Sequence, residues 1–465
     1  MPRPNPSRSL AVLALAGLAF SLAQTMIVPA LGDMKERLGT DEAGIAWTLT
    51  GYLLAAAVAT PVFGRLGDMF GKRRMLVLSI GFFAAGCAVS AIGSSLEVVV
   101  AGRVLQGVGG GIFPLCFGII RDEFPHERVA SSIGLISAIL GIGGGVGLVL
   151  GGVLADAFSY HVLFWLGAGM AVIAAIAAEL VIPESPVRTP GKVDVRGAVI
   201  LGAGLVLPLY AIGEANSWGW GSGRTLGLIA AGLVILAVWV LVELRTAEPL
   251  VNVRLLTEPP VAMTNLATLF VGFGMFGSFL LIPQLAEAPE ATGYGFALSA
   301  TGAGLLMLPG SVAMLGAGPL SGRLSARVSP KLPLALGGVI TACGLLFLGL
   351  AHGTQLLVMI GSLVMSVGIG FAFAAMPNLI VESVPPERTG EATGFNQLVR
   401  SVGSSLGSQI SAAILAGSVV SGAPTDAGYT TAFLVSAGVA LAAGIVSALI
   451  PRAPQPKGEP VAVNA

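Results

Sequence analysis

Charge is scarce in this chain. Only 10% of its 465 residues are Asp, Glu, Lys or Arg, against about a quarter in soluble domains. The 24 basic and 24 acidic residues cancel, which excludes a basic nucleic-acid binder and an acidic disordered chain. Cysteine is almost missing. Cys87, Cys116 and Cys343 lie far apart in apolar runs, with no CxxC pair and no Cys/His cluster, so neither a metal site nor a disulfide is indicated. They read as small packing residues. No G-x4-G-K-[ST] loop is present, which excludes ATP drive. An intramembrane enzyme would need HExxH, a Gly-x-Ser-Gly nucleophile or a mid-span Asp pair. None occurs, and His126-Glu127 lacks a second His at the required spacing. His126, His161 and His352 all fall at expected helix ends. Glycine is plentiful but has no Gly-X-Y period, so collagen is out. No cofactor is implied.

What is present is apolar length. Hydrophobic residues make up 55% of the chain, and a spanning helix needs about 20 of them in a row. Apolar stretches fall near 10–31, 45–63, 75–93, 98–118, 131–155, 162–182, 197–214, 224–243, 261–283, 298–319, 332–351, 356–382, 393–420 and 429–451. The first follows Arg3 and Arg8 but is too long for a signal h-region, so it reads as a retained helix. With the N-terminus in the cytoplasm, nineteen Lys and Arg residues fall on the cytoplasmic side. Only Lys35, Arg37 and Arg224 fall outside, and Arg103 and Arg400 lie within spans. One missed or invented helix would invert every later loop, so the asymmetry supports fourteen spans with both termini cytoplasmic.

The chain also repeats itself. Gly64-Arg65-Leu66 recurs as Gly322-Arg323-Leu324, Pro125-His126-Glu127-Arg128 as Pro385-Pro386-Glu387-Arg388, and Gly134, Gly143 and Gly147 as Gly394, Gly403 and Gly407. The expected fold is therefore all-α and polytopic: a six-helix bundle over 1–182, a linker with two extra helices over 183–260, a second six-helix bundle over 261–451 and a disordered cytoplasmic tail over 452–465. Internal repeats of this kind build many transporters, with the substrate site between halves.

Three motifs carry a resemblance. Gly64-Arg65-Leu-Gly-Asp68-Met-Phe-Gly71-Lys72-Arg73-Arg74 lies in the first expected cytoplasmic hairpin, Arg103-Val-Leu-Gln106-Gly107 in span four, and Gly143, Gly147, Gly151 and Gly152 in span five. They resemble the signature motifs of the major facilitator superfamily. Fourteen spans, Leu22-Ala23-Gln24-Thr25, Trp218-Gly219-Trp220 and Arg400-Ser-Val-Gly403 are similar to its drug:proton antiporter branch. Two positions depart from that branch: Ala23 stands where it carries an Asp, and Leu148 where its fifth-span motif carries a Pro. The resemblance implies efflux of small amphiphilic compounds, resistance to toxic compounds, and a gate latched by Asp68.

The residues themselves suggest roles. Gly64 and Gly71 permit close approach and a tight turn, while Asp68 is an anion suited to a helix N-terminus in the other half. Arg65, Lys72 and Arg73 supply charge around it. A buried cation such as Arg103 costs at least ~2.5 kcal/mol in the bilayer and faces the interior, with Gln106 one turn on. The alternative is a structural Arg bonded to backbone carbonyls. The Gly143/Gly147/Gly151 stripe is either a sliding surface between halves or static packing. Gln24, Thr25, Thr50, Asn265 and Asn378 are candidates for a cavity wall, as are Asn396, Gln397 and Arg400, and the alternative for each is interhelical or intrahelical hydrogen bonding.

The expected function is secondary active transport in the cell membrane, with a small-molecule substrate, protons and the lipid bilayer as partners, acting as a monomer. Asp33, Glu97, Asp156, Glu179, Glu214, Glu243 and Glu382 all lie near span ends. No carboxylate is expected near mid-membrane, so an anionic or zwitterionic metabolite, or a lipid-like molecule, is the alternative cargo. Without an acid at position 23, a proton could act at Arg103 or Asp33, or there is no proton coupling. A transporter-like receptor that no longer transports is a further class.

Overall fold

A computed structural model describes residues 6–40, 42–185, 194–247, 249, 251–420 and 423–451. The expected tail 452–465, and with it Arg452 and Lys457, lies outside the described residues, as do Arg3, Arg188 and Lys192. Among the described residues, thirteen helices are long and apolar enough to cross a membrane. They run Pro6–Ala30, Trp47–Phe70, Lys72–Ile92, Leu96–Glu123, His126–Ala155, Tyr160–Val181, Val195–Gly213, Gly223–Arg245, Pro259–Glu287, Thr301–Arg327, Lys331–Leu350, Gln355–Ser383 and Asp426–Leu449. A further 29-residue helix, Thr389–Gly417, occupies the thirteenth place in chain order. Its apolar content is diluted by Asn396, Gln397, Arg400 and a run of serines. Here spans are counted from one to fourteen with that helix as the thirteenth, and residues before 183 and after 260 are the first and second halves. A two-residue antiparallel pair, Val419–Val420 with Ala423–Pro424, is the strand structure among the described residues.

Apolar residues form one large cluster in each half, and a smaller one joins Leu255 of the insert to Val261, Ile380, Val384 and Ala392 of the second half. Leu13, Phe20, Tyr52, Phe83, Phe113 and Tyr160 belong to the first, and Leu281, Leu345, Phe373, Tyr429 and Phe433 to the second. Leu140 packs against both. The inserted seventh and eighth spans form a separate cluster through Leu201, Leu205 and Trp239, which reaches Leu398 of the thirteenth. Trp47 of the second span stacks near Tyr210 of the seventh, with ring centroids 5.3 Å apart. The outer faces of these spans remain apolar and exposed, as lipid contact requires; Leu233, Val234 and Leu241 are examples.

The second helix overruns its apolar stretch. It runs Glu42–Phe70, so Gly64–Phe70 is helical and the turn of the expected hairpin is confined to Gly71. That glycine has φ +108°, a conformation that L side chains rarely adopt. The overrun is possible because the charges on those last two turns are partnered. This end of the bundle, which also carries the 384–388 loop, is the basic end.

Candidate functional site

At the basic end, the two halves meet backbone to backbone. A Cβ on Gly64 would lie 2.2 Å from the carbonyl oxygen of Gly390, and one on Gly390 would lie 2.4 Å from that of Gly64. This approach brings Asp68, one turn further on, to the N-terminus of the helix Thr389–Gly417. Its carboxylate accepts the Gly390 N–H at 3.2 Å and the Glu391 N–H at 2.9 Å. These are second- and third-residue donors of the helix, which have no acceptor within it, and the helix dipole favours an anion there. Glu391, also buried, faces back: its carboxylate lies 3.8 Å from Arg65 and accepts the Asn252 N–H.

Lys72 is wholly buried between two acids. Its Nζ lies 3.3 Å from Asp68 and 2.8 Å from Asp122. Asp122 also accepts the Ser185 hydroxyl. Glu184 accepts the N–H groups of Arg73 and Arg74 at 3.1 and 3.2 Å, capping the third span. Arg121 reaches across to the second half, donating to Thr389 Oγ1 at 2.6 Å and to the Val384 carbonyl at 2.8 Å. Thus the signature residues Gly64, Arg65, Asp68, Gly71, Lys72 and Arg73 form one network. Both linkers of the insert touch it, through Glu184–Ser185 and Asn252.

The repeat of this contact lacks the acids. Gly322 approaches the Ala130 carbonyl, with a Cβ distance of 2.5 Å, as Gly64 approaches Gly390. However, Ala326 stands in the place of Asp68 and Ser131 in that of Glu391.

The fifth-span glycines divide between two faces. Gly143, Gly147 and Gly151, read as a boundary between halves, instead face the first span: a Cβ at each would meet Ser21, Thr25 and the Met26 carbonyl respectively. Thr25 donates to the Gly143 carbonyl at 2.8 Å and Ser21 to that of Leu140. Gly152 does face the second half, at Thr301. With it stand Gly134, Gly141 and Gly145, against Gly318, Met314 and Ser311. The four-residue repeat follows one helix face, and the 7-4-7 spacing of 134, 141, 145 and 152 follows the other.

Between the halves lies a cavity of only about 20 Å³. Its apolar wall includes Phe113, Phe117, Leu140, Phe373 and Met376, and its polar groups are Ser137, Thr393, Asn396, Gln397 and Arg400. The Arg400 guanidinium lies 4.7 Å from the Phe373 ring centre, and its Nε donates to Gln397 at 3.3 Å. Asn396 donates to Asn265 and Thr268, both at 2.8 Å, so Asn265 stands behind the wall. The lining is two-fold related: adding the repeat offset of the glycine motifs to Phe113, Phe117, Ser137 and Leu140 gives Phe373, Pro377, Gln397 and Arg400. Gln24, Thr25, Thr50 and Asn378 are not among its lining residues. Asn378 instead donates to the Ala130 carbonyl of the fifth span at 3.2 Å, and Gln24 and Thr50 are half-buried.

Arg103 is also outside this lining. It is fully buried, donates to the Thr48 carbonyl at 2.9 Å and to Gln106 at 2.6 Å, and lies 4.3 Å from the Tyr52 ring centre. Gln106 in turn donates to Ser90 at 3.3 Å. Gly107 packs on the Tyr52 carbonyl. The group ties the second, third and fourth spans together. Asp33, at the opposite end, accepts from Arg37 at 2.6 Å, a bond that raises the Arg37 pKa.

Sequence reasoning missed Phe113 and Phe117, whose pairing with Phe373 and Pro377 is visible only through the repeat, and also Met376, Asp122, Glu184 and Glu391. The last three are near helix ends and show no pattern of their own. Among the described residues no cluster of His, Cys, Asp and Glu could hold a metal ion.

A sequence profile described as Major Facilitator Superfamily matches residues 13–408. The chain is 27% identical over 421 residues to the "Tetracenomycin C resistance and export protein" of Streptomyces glaucescens, covering 90% of this chain and 77% of that one. It is 24% identical over 399 residues to "Multidrug resistance protein 3" of Bacillus subtilis, covering 85% and 77%. Among solved structures, the human organic anion transporter MFSD10 (TETRAN) superposes with a TM-score of 0.67 at 16% identity, covering 96% of this chain and all of that one. That likeness is one of fold.

Proposed function

The chain belongs to the Major Facilitator Superfamily, and on that premise we propose that it exports small amphiphilic organic compounds, driven by a proton gradient, with its basic end and both termini in the cytoplasm. As a member of that family it is a multi-pass membrane transporter related to multidrug efflux proteins, not an enzyme. The observation that carries the finer reading is the cavity on the two-fold relation between halves: aromatic and apolar walls, five polar groups and no carboxylate. Such walls suit amphiphiles. A volume of about 20 Å³ admits about one water, so cargo enters only when the halves part. Export is supported by the relatives, among them the tetracenomycin C resistance and export protein.

The 1–182 and 261–451 bundles rock about that cavity, and the Asp68 contact latches the cytoplasmic end. Asp68, Asp122 and Glu391 are buried acids at that contact, whereas position 23 is Ala. A proton taken up by Asp68 removes the charge that holds two N–H donors and Lys72, and so weakens the closed end. Arg103 supports the first half, and the monomer is the working unit.

Arg400 favours a second reading of the cargo, an anionic or zwitterionic compound. It is the cation in the lining, and no acid there neutralises it. Everted proteoliposomes test both points. An acid interior is expected to speed accumulation of a fluorescent amphiphile at least tenfold. Flux indifferent to pH removes the proton. Arg400→Gln is expected to slow an anionic dye about tenfold and leave a neutral one nearly unchanged. Equal slowing of anionic and cationic dyes removes the charge preference.

A further inference from the structure

A second cavity, of about 380 Å³, opens at the basic end beside the eighth span. Three arginines from separate parts of the chain converge on it. Arg245 ends the helix Gly223–Arg245, Arg254 sits on the short helix Val253–Leu256, and Arg388 ends the turn before Thr389. Arg245 and Arg254 are exposed and Arg388 is half-buried. Among the other cations at this end, Arg65 is paired with Glu391, Lys72 with Asp68 and Asp122, and Arg73 with Glu179 and Glu184, while exposed cations such as Arg323 and Arg327 stand outside the lining of this cavity. Among the described residues, no carboxylate forms an ion pair with Arg245, Arg254 or Arg388. Among the described residues the acid in the lining is Glu243, which is buried and accepts the Val251 N–H at 3.3 Å. Three guanidinium groups around one space repel each other, and an anion among them removes that cost.

The surroundings indicate what delivers the anion. Arg245 is the last residue of a span whose outward face is apolar, with Leu241 55% and Leu244 40% exposed, and Leu244 itself lines the cavity. An acyl chain lying along that face brings its headgroup to Arg245. Guanidinium groups match phosphate oxygens in bidentate geometry, and the volume lies in the range of small-ligand sites. We propose that this cavity binds the phosphate of an anionic phospholipid headgroup from the adjacent leaflet. Free inorganic phosphate shares the chemistry but would not use the apolar face. The cavity wall also includes Asn252, whose N–H is held by Glu391, so the lipid would sit one residue from the contact between halves. The site stands independently of cargo and proton coupling.

Native mass spectrometry of the purified full chain, with phosphatidylglycerol or phosphatidylcholine added, tests this. Phosphatidylglycerol is expected to be retained at least tenfold more than phosphatidylcholine. Each of Arg245→Gln, Arg254→Gln and Arg388→Gln is expected to lower that retention about fivefold, and Arg327→Gln, an exposed cation at the same end, is expected not to. The single variants are read separately, with thermal unfolding as the check on folding. Equal retention of the two lipids overturns the proposal, as does retention unmoved by Arg245→Gln and Arg254→Gln. Displacement of the lipid by millimolar inorganic phosphate identifies a free-anion site and overturns the lipid assignment.

Discussion

Asp68 of the first half holds the N–H of Glu391 in the second at 2.9 Å, and both residues are buried. This is a charge-assisted bond made only while the basic ends of the two halves touch. Hydrogen bonds to charged groups contribute about 1.5–3 kcal/mol each. Asp68→Asn keeps the shape, loses the charge and leaves Lys72 with Asp122 alone. The expected result is a shift of about 2 kcal/mol, roughly 30-fold, towards separated basic ends. Electron–electron distances between spin labels at positions 74 and 327 read it directly, and transport falls with it. An unchanged distance distribution would show that Asp68 does not bias the equilibrium.

Gly64 and Gly390 make the same contact by size. An added methyl at either meets backbone oxygen at 2.2 or 2.4 Å, and backbone cannot rotate away as a side chain can. Gly64→Ala and Gly390→Ala are expected to cost about 1–3 kcal/mol of the closed arrangement. A cysteine introduced at the boundary then becomes accessible to thiol reagents from the basic end. Gly169→Ala and Gly438→Ala, where a Cβ has open space, are expected to be neutral.

The second linker of the insert is tied to this contact by a backbone donor. Asn252 N–H is held by Glu391, while the Asn252 side chain caps Arg254 N at 3.1 Å. Asn252→Pro removes both, and Asn252→Ala removes only the cap. The difference between the two variants isolates the bond to Glu391. Asn252→Pro is expected to open the basic end more than Asn252→Ala, by about 1–3 kcal/mol for a buried charged acceptor left short of a donor. Equal behaviour would place the linker outside the gate.

Arg103 separates two roles by two measurements. Its bonds to the Thr48 carbonyl and Gln106, and its place over Tyr52, predict that Arg103→Ala leaves buried partners unsatisfied. The expected loss is about 1–3 kcal/mol for each buried acceptor left without its donor, seen in thermal unfolding. Arg103→Lys is expected to lose less, since it keeps a charge but not the forked geometry. If Arg103→Ala unfolds normally yet no longer responds to a pH gradient, Arg103 is a proton-coupling group.

Much of this architecture is readable from residue order, because lipid imposes simple rules. Apolar runs of about 20 residues and the concentration of Arg and Lys in alternate loops follow from the bilayer alone. The thirteenth helix escapes a hydropathy criterion because Asn396, Gln397 and Arg400 face other helices and the cavity. The extension of the second helix through Asp68 was hidden for a related reason: its charges are satisfied by Glu391 and Gly390, more than 300 positions away. A four-residue glycine period identified one packed face of the fifth span but not which neighbour it met. Gly143 meets Ser21, whereas Gly145, two residues on, meets Ser311 of the other half. The cavity was half legible. Arg400 could be singled out as an intramembrane cation, but Phe113 and Phe373 look like ordinary core until the repeat offset pairs them. Glu184 and Asn252 act through backbone N–H groups, on which sequence is silent.

The two-fold relation between halves suggests building a second latch, and the structure says that it would not close. Ala326 corresponds to Asp68, and the residues it would face correspond to Ala130 and Ser131. In the second half the helix begins at Thr389, so Gly390 and Glu391 lie in its first turn with unused N–H groups. In the first half the helix begins at His126. Ala130 and Ser131 are then its fifth and sixth residues, and their N–H groups are spent on the carbonyls four residues back. An acid at position 326 would find no free backbone N–H groups across the boundary and no Lys one turn on, since Pro330 stands where the repeat places Lys72 and Lys331 donates to the Ile450 carbonyl. Ala326→Asp is therefore expected to leave spin-label distances at the basic end unchanged and to alter thermal stability by no more than about 0.5 kcal/mol, as for an ordinary exposed substitution. A clear tightening of the basic end in that variant would mean that helix start, and not charge alone, has been misjudged as the source of the asymmetry.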